Sequence, residues 1–512
     1  MTDDFSRATR SDLVNPVVQD VNPGAAQKTV RISTVTATIE ARTSQALPRQ
    51  ARTVIATLLV AAFVVILNET IMGVALPRLM TELHISASTV QWLSTAFMLT
   101  MAVVIPTTGF MLQRIPSRTV FIIAMSLFST GTLVAGLAPG FWLLLPARII
   151  QASGTAMIVP LLMTSILTLV PIERRGVVMG NVSIAISVAP AIGPTLSGLI
   201  LQFLSWRFMF LLVLPIALVA LAIGARLLEN FGERGNQRLD ILSVLLSIPA
   251  FGGIVYGLSR FAVSSGTGIG VAVAVLAVGL VCLALFGWRQ IQLQRSGDPL
   301  LDLRAFKIKM FSLSVLLLCI AMMALFGALI MLPIYLQSVR GLSSLETGFL
   351  LLPGGLLMGL LAPTVGRIFD KYGPRVLVPP GAVLIVLNLL GLTQVDQHTP
   401  VWMLVGLHVI LSLGFACLFT PAFTTGLNPL PPSLYSHGSA IMATLQQLAG
   451  AAGTALLVTI MAGRTISLVA AGTPNVAAQI SGLHTAFAVA SGVAVLAVVL
   501  SFFLKNPKSA VS

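Results

Sequence analysis

Charged residues and cysteines are scarce in this chain of 512 residues. Only 9% of its residues are Asp, Glu, Lys or Arg, whereas soluble domains carry roughly 25%, and 56% are hydrophobic. The three cysteines, Cys282, Cys319 and Cys417, all fall inside apolar runs, which excludes a disulfide framework, and neither a Cys-x-x-Cys pair nor a His cluster indicates a metal site. This composition is typical of an integral membrane protein that crosses the bilayer many times.

The sequence also lacks the motifs of two protein classes. It contains no Gly-x-x-x-x-Gly-Lys-Ser/Thr loop, so we do not expect this chain to hydrolyse ATP. Transport of a solute against its concentration gradient would then need a proton or other ion gradient as its energy source. No cofactor is expected. No cluster of acid, base and nucleophile appears, which argues against an enzyme. Residues 1–51 have no apolar run long enough for a signal peptide, and their polar composition predicts a disordered cytoplasmic tail.

Fourteen apolar runs are long enough to cross a membrane as helices, because about 30 Å of hydrocarbon requires roughly 20 mostly apolar residues. None of them shows the alternating pattern that a strand of a transmembrane β-barrel needs. The sequence therefore predicts an all-α polytopic membrane protein. The predicted spans lie near residues 53–76, 89–112, 118–138, 142–170, 177–203, 206–228, 241–261, 267–288, 311–336, 346–366, 374–394, 400–422, 439–462 and 482–504.

The distribution of basic residues predicts the orientation. If the N-terminus is inside, 24 of the 30 Lys and Arg residues lie on cytoplasmic segments, five lie on outer segments and one, Arg148, lies within a span. Cytoplasmic loops of membrane proteins carry such an excess, so both termini are predicted to be cytoplasmic and the chain to lie in the plasma or inner membrane. Because the positive charge is dispersed over many short loops, no nucleic-acid partner is needed to explain it.

A polar cassette of ten residues occurs twice. Residues 366–375 read GRIFDKYGPR and residues 109–118 read GFMLQRIPSR, and each copy lies between two apolar runs. Repetition of a loop at equivalent places indicates that one supersecondary unit is used twice, as in many secondary transporters. The predicted organisation is a cytoplasmic tail (1–51), an N-terminal six-helix bundle (52–228), a linker with two extra transmembrane helices (229–309), a C-terminal six-helix bundle (310–504) and a second cytoplasmic tail (505–512).

Several segments resemble motifs of the major facilitator superfamily. Residues 67–77 (LNETIMGVALP) resemble the opening motif of its fourteen-span drug:proton antiporters, in which most members have Asp at the place of Asn68. Residues 148–154 (RIIQASG) resemble the Arg-x-x-Gln-Ala-x-Gly motif, and residues 189–198 (APAIGPTLSG) resemble the antiporter motif of the fifth span. In this order the motifs make the chain similar to the lincomycin-resistance type of multidrug efflux protein. The resemblance implies the major facilitator fold, with two six-helix repeats plus two inserted helices, and proton-coupled export of hydrophobic or cationic drugs.

Glu69 and Arg148 are the predicted proton-coupling residues. Of the sixteen Asp and Glu residues, only Glu69 lies well inside an apolar run, where a lone carboxyl is costly and usually functional. We expect it to carry the proton or to meet a cationic substrate; a partly hydrated acid that only packs or pairs is the alternative. Arg148 must face the bundle interior, with Glu69 or main-chain carbonyls as candidate partners, and the resemblance implies that it takes part in proton coupling. Because the usual acid aligns with Asn68, either the carboxylate has moved by one place or the coupling site differs.

A second predicted set of residues governs the change between conformations. We expect the Asp370 carboxylate to accept from N–H groups at a neighbouring helix start and the basic cassette residues to pair with acids on the facing half; ordinary loop charges are the alternative. In residues 109–118, Gln113 stands where the resembling proteins usually have Asp. A carboxylate contact of the Asp370 kind is therefore not expected from the N-terminal bundle. The antiporter motif is expected to permit a close, bendable contact between the halves. The set comprises Gly193, Pro194, Gly198, Gly109, Arg114, Arg118, Gly366, Asp370, Lys371, Gly373 and Arg375.

The predicted substrate pocket lies near the membrane midplane between the halves. Its few charges suit large lipophilic or amphiphilic molecules, so the expected partners are a small lipophilic drug, protons and membrane lipid, and the chain is expected to act as a monomer. An exporter of an endogenous metabolite, such as an amino acid, peptide or siderophore, is an alternative, as is a non-transporting membrane sensor. The candidate lining residues are Asn68, Gln91, Gln151, Asn181, Asn388, Gln446 and Gln447.

Overall fold

The computed structural model describes residues 48–85, 87–230, 240–263, 267–296 and 299–505, and every regular element within these ranges is helical. Fourteen helical segments there are long and apolar enough to cross a membrane. Each overlaps one of the predicted spans, which confirms the all-α polytopic fold. The predicted N-terminal tail lies outside the described residues as far as residue 47, and residues 506–512 of the C-terminal tail also lie outside them.

The first six spans, α1 to α6, are called the N-half. They are apolar around most of their circumference, as expected for helices that face lipid on one side and other helices on the other. The sixth span is interrupted at Leu212 and consists of two pieces. The helices are α1 Arg49–Leu83, α2 Ala87–Arg114, α3 Ser117–Leu137, α4 Phe141–Leu169, α5 Arg175–Phe203, and α6 Phe208–Leu211 with Val213–Leu227.

Two inserted spans, α7 and α8, precede the last six spans, which are called the C-half. Both α7 and α9 contain a π-helical turn, and α7 is therefore given in three pieces. The inserted helices are α7 Ile241–Ser247, Ile248–Gly252 and Gly253–Val263, and α8 Thr267–Ser296. The helices of the C-half are α9 Lys309–Ile334 with Tyr335–Val339, α10 Ser344–Tyr372, α11 Val378–Leu392, α12 Val401–Leu427, α13 Tyr435–Ala470 and α14 Asn475–Ser501.

Local sequence signals fix both ends of α10, the helix that carries most of the cassette at residues 366–375. At its start, the Ser343 hydroxyl accepts from the Glu346 N–H (3.2 Å) and the Glu346 carboxylate accepts from the Ser343 N–H (2.7 Å), which is a capping box. At its end, Gly373 adopts a φ of 80°, a conformation that favours glycine, and its N–H donates to the Phe369 carbonyl (2.7 Å). The cassette therefore lies at a helix end of fixed position.

Glycines allow α5 of the N-half to run closely along α10 of the C-half. A Cβ added to Gly180 would overlap the carbonyl oxygen of Ala362, and one added to Gly366 would overlap the carbonyl oxygen of Gly176. Helices approach this closely only where one of them presents no side chain. These two helices form the seam that joins the halves.

The inserted pair is tightly packed and lies against both halves. A Cβ added to Gly253 of α7 would lie 3.2 Å from the Cα of Gly279 on α8. α7 packs against α2 of the N-half and α13 of the C-half, and its Tyr256 stacks on Trp92 of α2 with ring centroids 5.5 Å apart. The insertion is therefore positioned where the two halves meet.

Gly154→Ala is expected to lower thermal stability. A Cβ at Gly154 of α4 would overlap the Ala124 carbonyl oxygen of α3, so the two helices would have to separate, at a cost of roughly 1–3 kcal/mol. Gly287→Ala on α8 is the matched control, because nothing lies within 4 Å of its added Cβ and alanine favours a helix by roughly 0.5–1 kcal/mol. The unfolding midpoint of the purified protein should fall for the first variant only; equal midpoints would contradict the close α3–α4 contact.

Candidate functional site

A buried arginine lies at the centre of a polar cluster in the N-half. Arg148 on α4 is 1% exposed, and its Nη1 donates to Gln151 Oε1 (2.5 Å) and to Asn68 Oδ1 on α1 (3.3 Å). Gln151 Nε2 in turn donates to Thr132 Oγ1 on α3 (2.7 Å). The guanidinium lies over the ring of Phe97 on α2, 4.1 Å from its centroid, where cation–π attraction stabilises it. Four helices of the N-half therefore meet at this side chain.

The hydrogen-bond partners of Arg148 are neutral amides. The carboxyl of Glu69 is half-buried and lies within electrostatic range of the guanidinium, but in the part of the chain that the structure describes it makes no ion pair within 4.0 Å of Arg148. Of the two predicted partners, Glu69 interacts with Arg148 electrostatically, while the hydrogen bonds described for the guanidinium go to the side-chain amides of Asn68 and Gln151. The buried guanidinium charge is therefore stabilised by hydrogen bonds to amides, and the Glu69 carboxyl lies nearby.

Two members of this cluster carry no chemical signal in the sequence. Thr132 and Phe97 are ordinary residues of apolar helices, and neither belongs to a motif. Only the three-dimensional packing brings them to Arg148, through the close α3–α4 contact and the packing of α2 against α4. A helical-wheel projection of α3 alone could not have identified Thr132, because its partner is on another helix.

The cassette at residues 366–375 places a carboxylate at the start of α5. Asp370 Oδ1 accepts from the Gly176 N–H (2.9 Å) and Oδ2 accepts from the Val177 N–H (3.0 Å). These N–H groups belong to the first turn of α5, where they have no intrahelical partner and where the helix dipole is positive. This is the geometry that the sequence predicts for Asp370, and it joins the C-half to the N-half.

The cassette of the N-half, residues 109–118, makes the corresponding contact through an amide in place of a carboxylate. Gln113 Nε2 donates to the Ser433 carbonyl (2.9 Å), two residues before α13 begins, and Gly109 lies against Ser436 and Ala440 of that helix. An amide that donates to a carbonyl does not offset the positive end of a helix as a carboxylate does. The halves therefore meet through two pseudo-equivalent contacts, and a carboxylate takes part in only one of these two.

The last arginine of each cassette binds a helix end in its own half. Arg375 Nε donates to the Leu504 carbonyl just after α14 (2.8 Å), and Arg118 Nη2 donates to the Ala225 carbonyl near the end of α6. A cation is favoured there because the carbonyl end of a helix is negative. For Arg375, the prediction that the basic residues of its cassette pair with acids of the facing half is wrong.

A second buried arginine, which sequence reasoning missed, joins the halves. Arg175 is the first residue of α5 and is 4% exposed. Within the N-half it donates to the carbonyls of Val170 (3.1 Å) and Leu167 (2.5 Å). Towards the C-half it donates to Asn428 Oδ1 (3.1 Å) and the Tyr435 hydroxyl (3.2 Å). Because Tyr435 is the first residue of α13, the starts of the two pseudo-equivalent helices meet at this guanidinium.

The antiporter-motif residues divide between two interfaces. Gly193 lies against Thr70 of α1, which is in the same half, so the predicted contact between halves is wrong for this glycine. Gly198 faces Leu345 at the start of α10 in the C-half. The side chain of Pro194 lies outside the described part of the chain.

Some of the predicted pocket residues come together and others do not. Asn68 and Gln151 belong to the Arg148 cluster. Gln446 and Gln447 are half-buried on α13, a helix that packs against α2 and α4 of the N-half. Gln151, Gln446 and Gln447 therefore lie on helices that meet between the halves, whereas Asn68 lies on α1, which packs against other helices of the N-half.

The remaining predicted residues lie elsewhere. Asn388 is 1% exposed on α11, which packs against α12 and α14 of its own half, so the structure places it away from the seam. Asn181 is exposed on α5, and the side chain of Gln91 lies outside the described part. Arg114 is the last residue of α2, and Lys371 Nζ lies over the ring of its neighbour Tyr372, 4.9 Å from the centroid.

Hydrogen bonds between the halves concentrate at the cytoplasmic end. The side chains of Asp370, Gln113 and Arg175 make such bonds, and Ser183 on α5 shares another with Thr420 on α12. The bonds of Asp370, Gln113 and Arg175 lie at the start of α5 or of α13, which both begin on the cytoplasmic side, and the Ser183–Thr420 bond lies about two turns further along α5. The described conformation is therefore closed at its cytoplasmic end.

Asp370→Asn is expected to loosen this closure. An amide cannot offer two anionic oxygens to the Gly176 and Val177 N–H groups, and hydrogen bonds to a charged group contribute roughly 1.5–3 kcal/mol. Spin labels are placed at the exposed positions Glu173 and Tyr372, in a background without native cysteines. In Asp370→Asn, the distribution of distances between the labels should contain an additional, longer population. Asp396→Asn, whose carboxylate binds only its own loop among the described residues, is the control; the same distribution in both variants would contradict a closing role for Asp370.

Comparison with known proteins agrees with this architecture. Residues 58–454 match the family profile described as Major Facilitator Superfamily. The chain is 42% identical over 456 residues to a Bacillus subtilis protein named uncharacterized MFS-type transporter YcnB, covering 89% of this chain and 95% of that protein. It is 40% identical over 460 residues to lincomycin resistance protein LmrB of Listeria monocytogenes, covering 89% and 97% respectively.

The fold is also that of a solved transporter. The crystal structure of the human organic anion transporter MFSD10 matches with a TM-score of 0.63 at 16% identity, over 89% of this chain and 100% of that one. Identity at this level shows a shared fold and no more. Together with the family match over most of its length, these findings show that the chain belongs to the Major Facilitator Superfamily and is a multi-pass transporter of the cell membrane.

Proposed function

We propose that this transporter exports lipophilic or cationic drugs in exchange for protons. The drug part of the proposal is supported by the Listeria relative, which is named for lincomycin resistance and is matched over 97% of its length. The observation that carries the proton part is the half-buried Glu69 carboxyl beside a buried arginine whose hydrogen-bond partners are neutral. A carboxyl in this position can take up or lose a proton while Arg148 stays charged.

The charge on Arg148 couples the proton to the packing of the helices. When Glu69 is ionised, it attracts the guanidinium and offsets part of the cost of burying that charge. When a proton from outside neutralises Glu69, Arg148 keeps only its amide partners, Asn68 on α1 and Gln151 on α4. Proton binding thus biases the position of α1 relative to α4.

Drug and proton compete in the proposed exchange. A cationic drug is attracted by ionised Glu69 and is released outward when Glu69 becomes protonated; a neutral lipophilic drug is released through the change in helix packing. Return of the proton to the cytoplasm requires the cytoplasmic end to open. The bonds that Asp370 and Arg175 make to the facing half must then break, so the halves alternate between two arrangements.

Glu69 is proposed to replace the Asp that resembling antiporters carry at the place of Asn68. One residue corresponds to about 100° around a helix. Asn68 therefore faces Arg148 directly, whereas Glu69 acts on the same guanidinium through a longer electrostatic interaction. The displaced acid leaves Arg148 without a direct ion pair, which makes the protonation of Glu69 less costly than it would be at the adjacent position.

Glu69→Gln is expected to abolish drug/proton exchange without unfolding the protein. The amide keeps the size of the side chain but cannot bind a proton, so exchange should fall by roughly 100-fold or more, the typical contribution of a proton-transfer group. The measurement is luminal pH in everted vesicles that are first acidified and then challenged with lincosamides and lipophilic cations. Glu82→Gln, at the exposed outer end of α1, controls for loss of one acid.

Each outcome of that measurement is decisive. Proton release on drug addition that is lost only in Glu69→Gln supports the proposal. Unchanged exchange in Glu69→Gln contradicts the role of this acid. A wild-type protein that responds to none of the drugs contradicts drug export and favours a metabolite as substrate.

The double variant Asn68→Asp/Glu69→Gln tests whether the acid can return to the adjacent position. The carboxylate introduced by Asn68→Asp would bind Arg148 directly, because the Asn68 Oδ1 already lies 3.3 Å from Nη1. We expect this variant to regain exchange relative to Glu69→Gln, with the pH dependence moved to lower pH because the direct ion pair holds the new carboxyl ionised. Exchange that stays absent would mean that coupling requires the geometry of position 69.

A further inference from the structure

The inserted helices are joined to the C-half by an elbow segment, residues 299–309, that is held in a fixed position. Gln290 on α8 is fully buried, and its Oε1 accepts from the Leu300 N–H (2.7 Å) and the Leu301 N–H (3.1 Å). Its Nε2 donates to Ser243 Oγ on α7 (2.7 Å). The Gln290 amide therefore joins the elbow segment to both inserted helices and fixes its position.

The elbow segment has two different faces. Leu300, Leu301 and Ala305 are at most 3% exposed and face the protein. Lys307 and Lys309 are exposed on the opposite face. Because the segment connects the cytoplasmic ends of α8 and α9, its exposed face lies at the inner membrane surface.

Exposed aromatic side chains accompany these lysines. Phe306 is 39% exposed and meets Phe311 edge-on, with ring centroids 5.5 Å apart. Trp288 is 59% exposed on α8, two residues before the Gln290 that holds the elbow segment. Aromatic residues with one exposed side are typical of the level of the lipid headgroups.

The charges of the elbow segment are not balanced. Asp302 is 2% exposed and pairs with Arg304 (2.5 Å). Burial alone would raise the pKa of Asp302, but hydrogen bonds from the side chain and backbone of Arg304 hold the pKa below its ordinary value. Lys307 and Lys309 have no acidic partner among the residues that the structure describes. As far as the described residues show, two cations beside an exposed aromatic ring are available to a partner.

We infer that the elbow segment binds the headgroup of an anionic phospholipid from the inner leaflet. Lys307 and Lys309 would meet the phosphate and the anionic headgroup, and Phe306 would enter the boundary between headgroups and acyl chains. A lipid fits better than a soluble anion, because an exposed ring next to the cations contributes nothing to binding a free phosphate. The inference stands apart from proton coupling and drug export.

The buried face of the elbow segment links this site to the closed cytoplasmic end. The backbone of Leu300 contacts the imidazole of His437 on the first turn of α13, and Asp302 lies within electrostatic range of that ring. The same turn of α13 lies against Gly109 of the N-half. A lipid that holds the elbow segment against the membrane therefore supports the closed arrangement.

Lipid binding to the purified protein tests the inference. The protein is titrated with phosphatidylglycerol, phosphatidylcholine or glycerol phosphate in detergent, and bound lipid is counted by native mass spectrometry. Lys307→Gln/Lys309→Gln should weaken phosphatidylglycerol binding by roughly 25-fold, from about 5-fold for each cation near the membrane surface, and Phe306→Ala should weaken it further. Arg49→Gln/Arg52→Gln removes two exposed charges from the start of α1 and serves as the matched control.

The controls make each result interpretable. Selective loss in the lysine variant, with the arginine variant close to wild type, supports the site. Equal losses in both variants would overturn it, because binding would then follow bulk positive charge. Equal affinity for phosphatidylcholine, or binding of glycerol phosphate as tight as that of the lipid, would also overturn it, since the site would then recognise no anionic headgroup or no lipid.

Discussion

The contact between the start of α5 and the end of α10 determines how the two halves can be arranged. The first turn of any α-helix leaves N–H groups without intrahelical partners, and in a partly buried place these groups need acceptors. Asp370 supplies two of them, and the absence of side chains at Gly176 and Gly366 lets the helices approach closely enough for this. Satisfying the helix start and closing the cytoplasmic end are therefore the same event.

The two cassettes occupy corresponding places in the helix order but differ in charge. Both cassettes reach the start of the fifth helix of the opposite half, and both end in an arginine that binds the last helix of its own half. Only the C-half copy offers a carboxylate at this contact. The cation Arg175 contacts the start of α13 through Tyr435 and the end of α12 through Asn428. A positive charge therefore joins the halves here, whereas Asp370 joins them with a negative charge.

The sequence predicted the features that arise from composition and repetition. The fourteen spans follow from apolar runs, and the contact of Asp370 follows from one carboxylate in a repeated loop. Arg175 could not be predicted, because it follows Arg174 beside a span and so looks like an ordinary positive-inside residue. Its burial depends on the approach of α13, which lies some 260 residues away in the chain and leaves no local pattern.

The hydrogen-bond partners of Arg148 could not be predicted from the sequence either. The sequence indicates that a buried arginine needs acceptors, but the choice between Glu69 and Asn68 depends on how α1 is rotated against α4, and adjacent residues differ by about 100°. Gly193 shows the same limit: a glycine motif predicts a close contact, whereas the identity of the facing helix, α1 in place of a C-half helix, is set by the tertiary arrangement.

The position of α7 has a mechanical consequence. Because α7 touches both α2 and α13, it cannot move rigidly with both halves when they reorient, and one of these two surfaces must slide. The Trp92–Tyr256 stack, with an angle of 27° between the rings, can shift within its plane while keeping much of its contact. The inserted pair would then let the halves slide parallel to its surface, and it would resist their wide separation on that side.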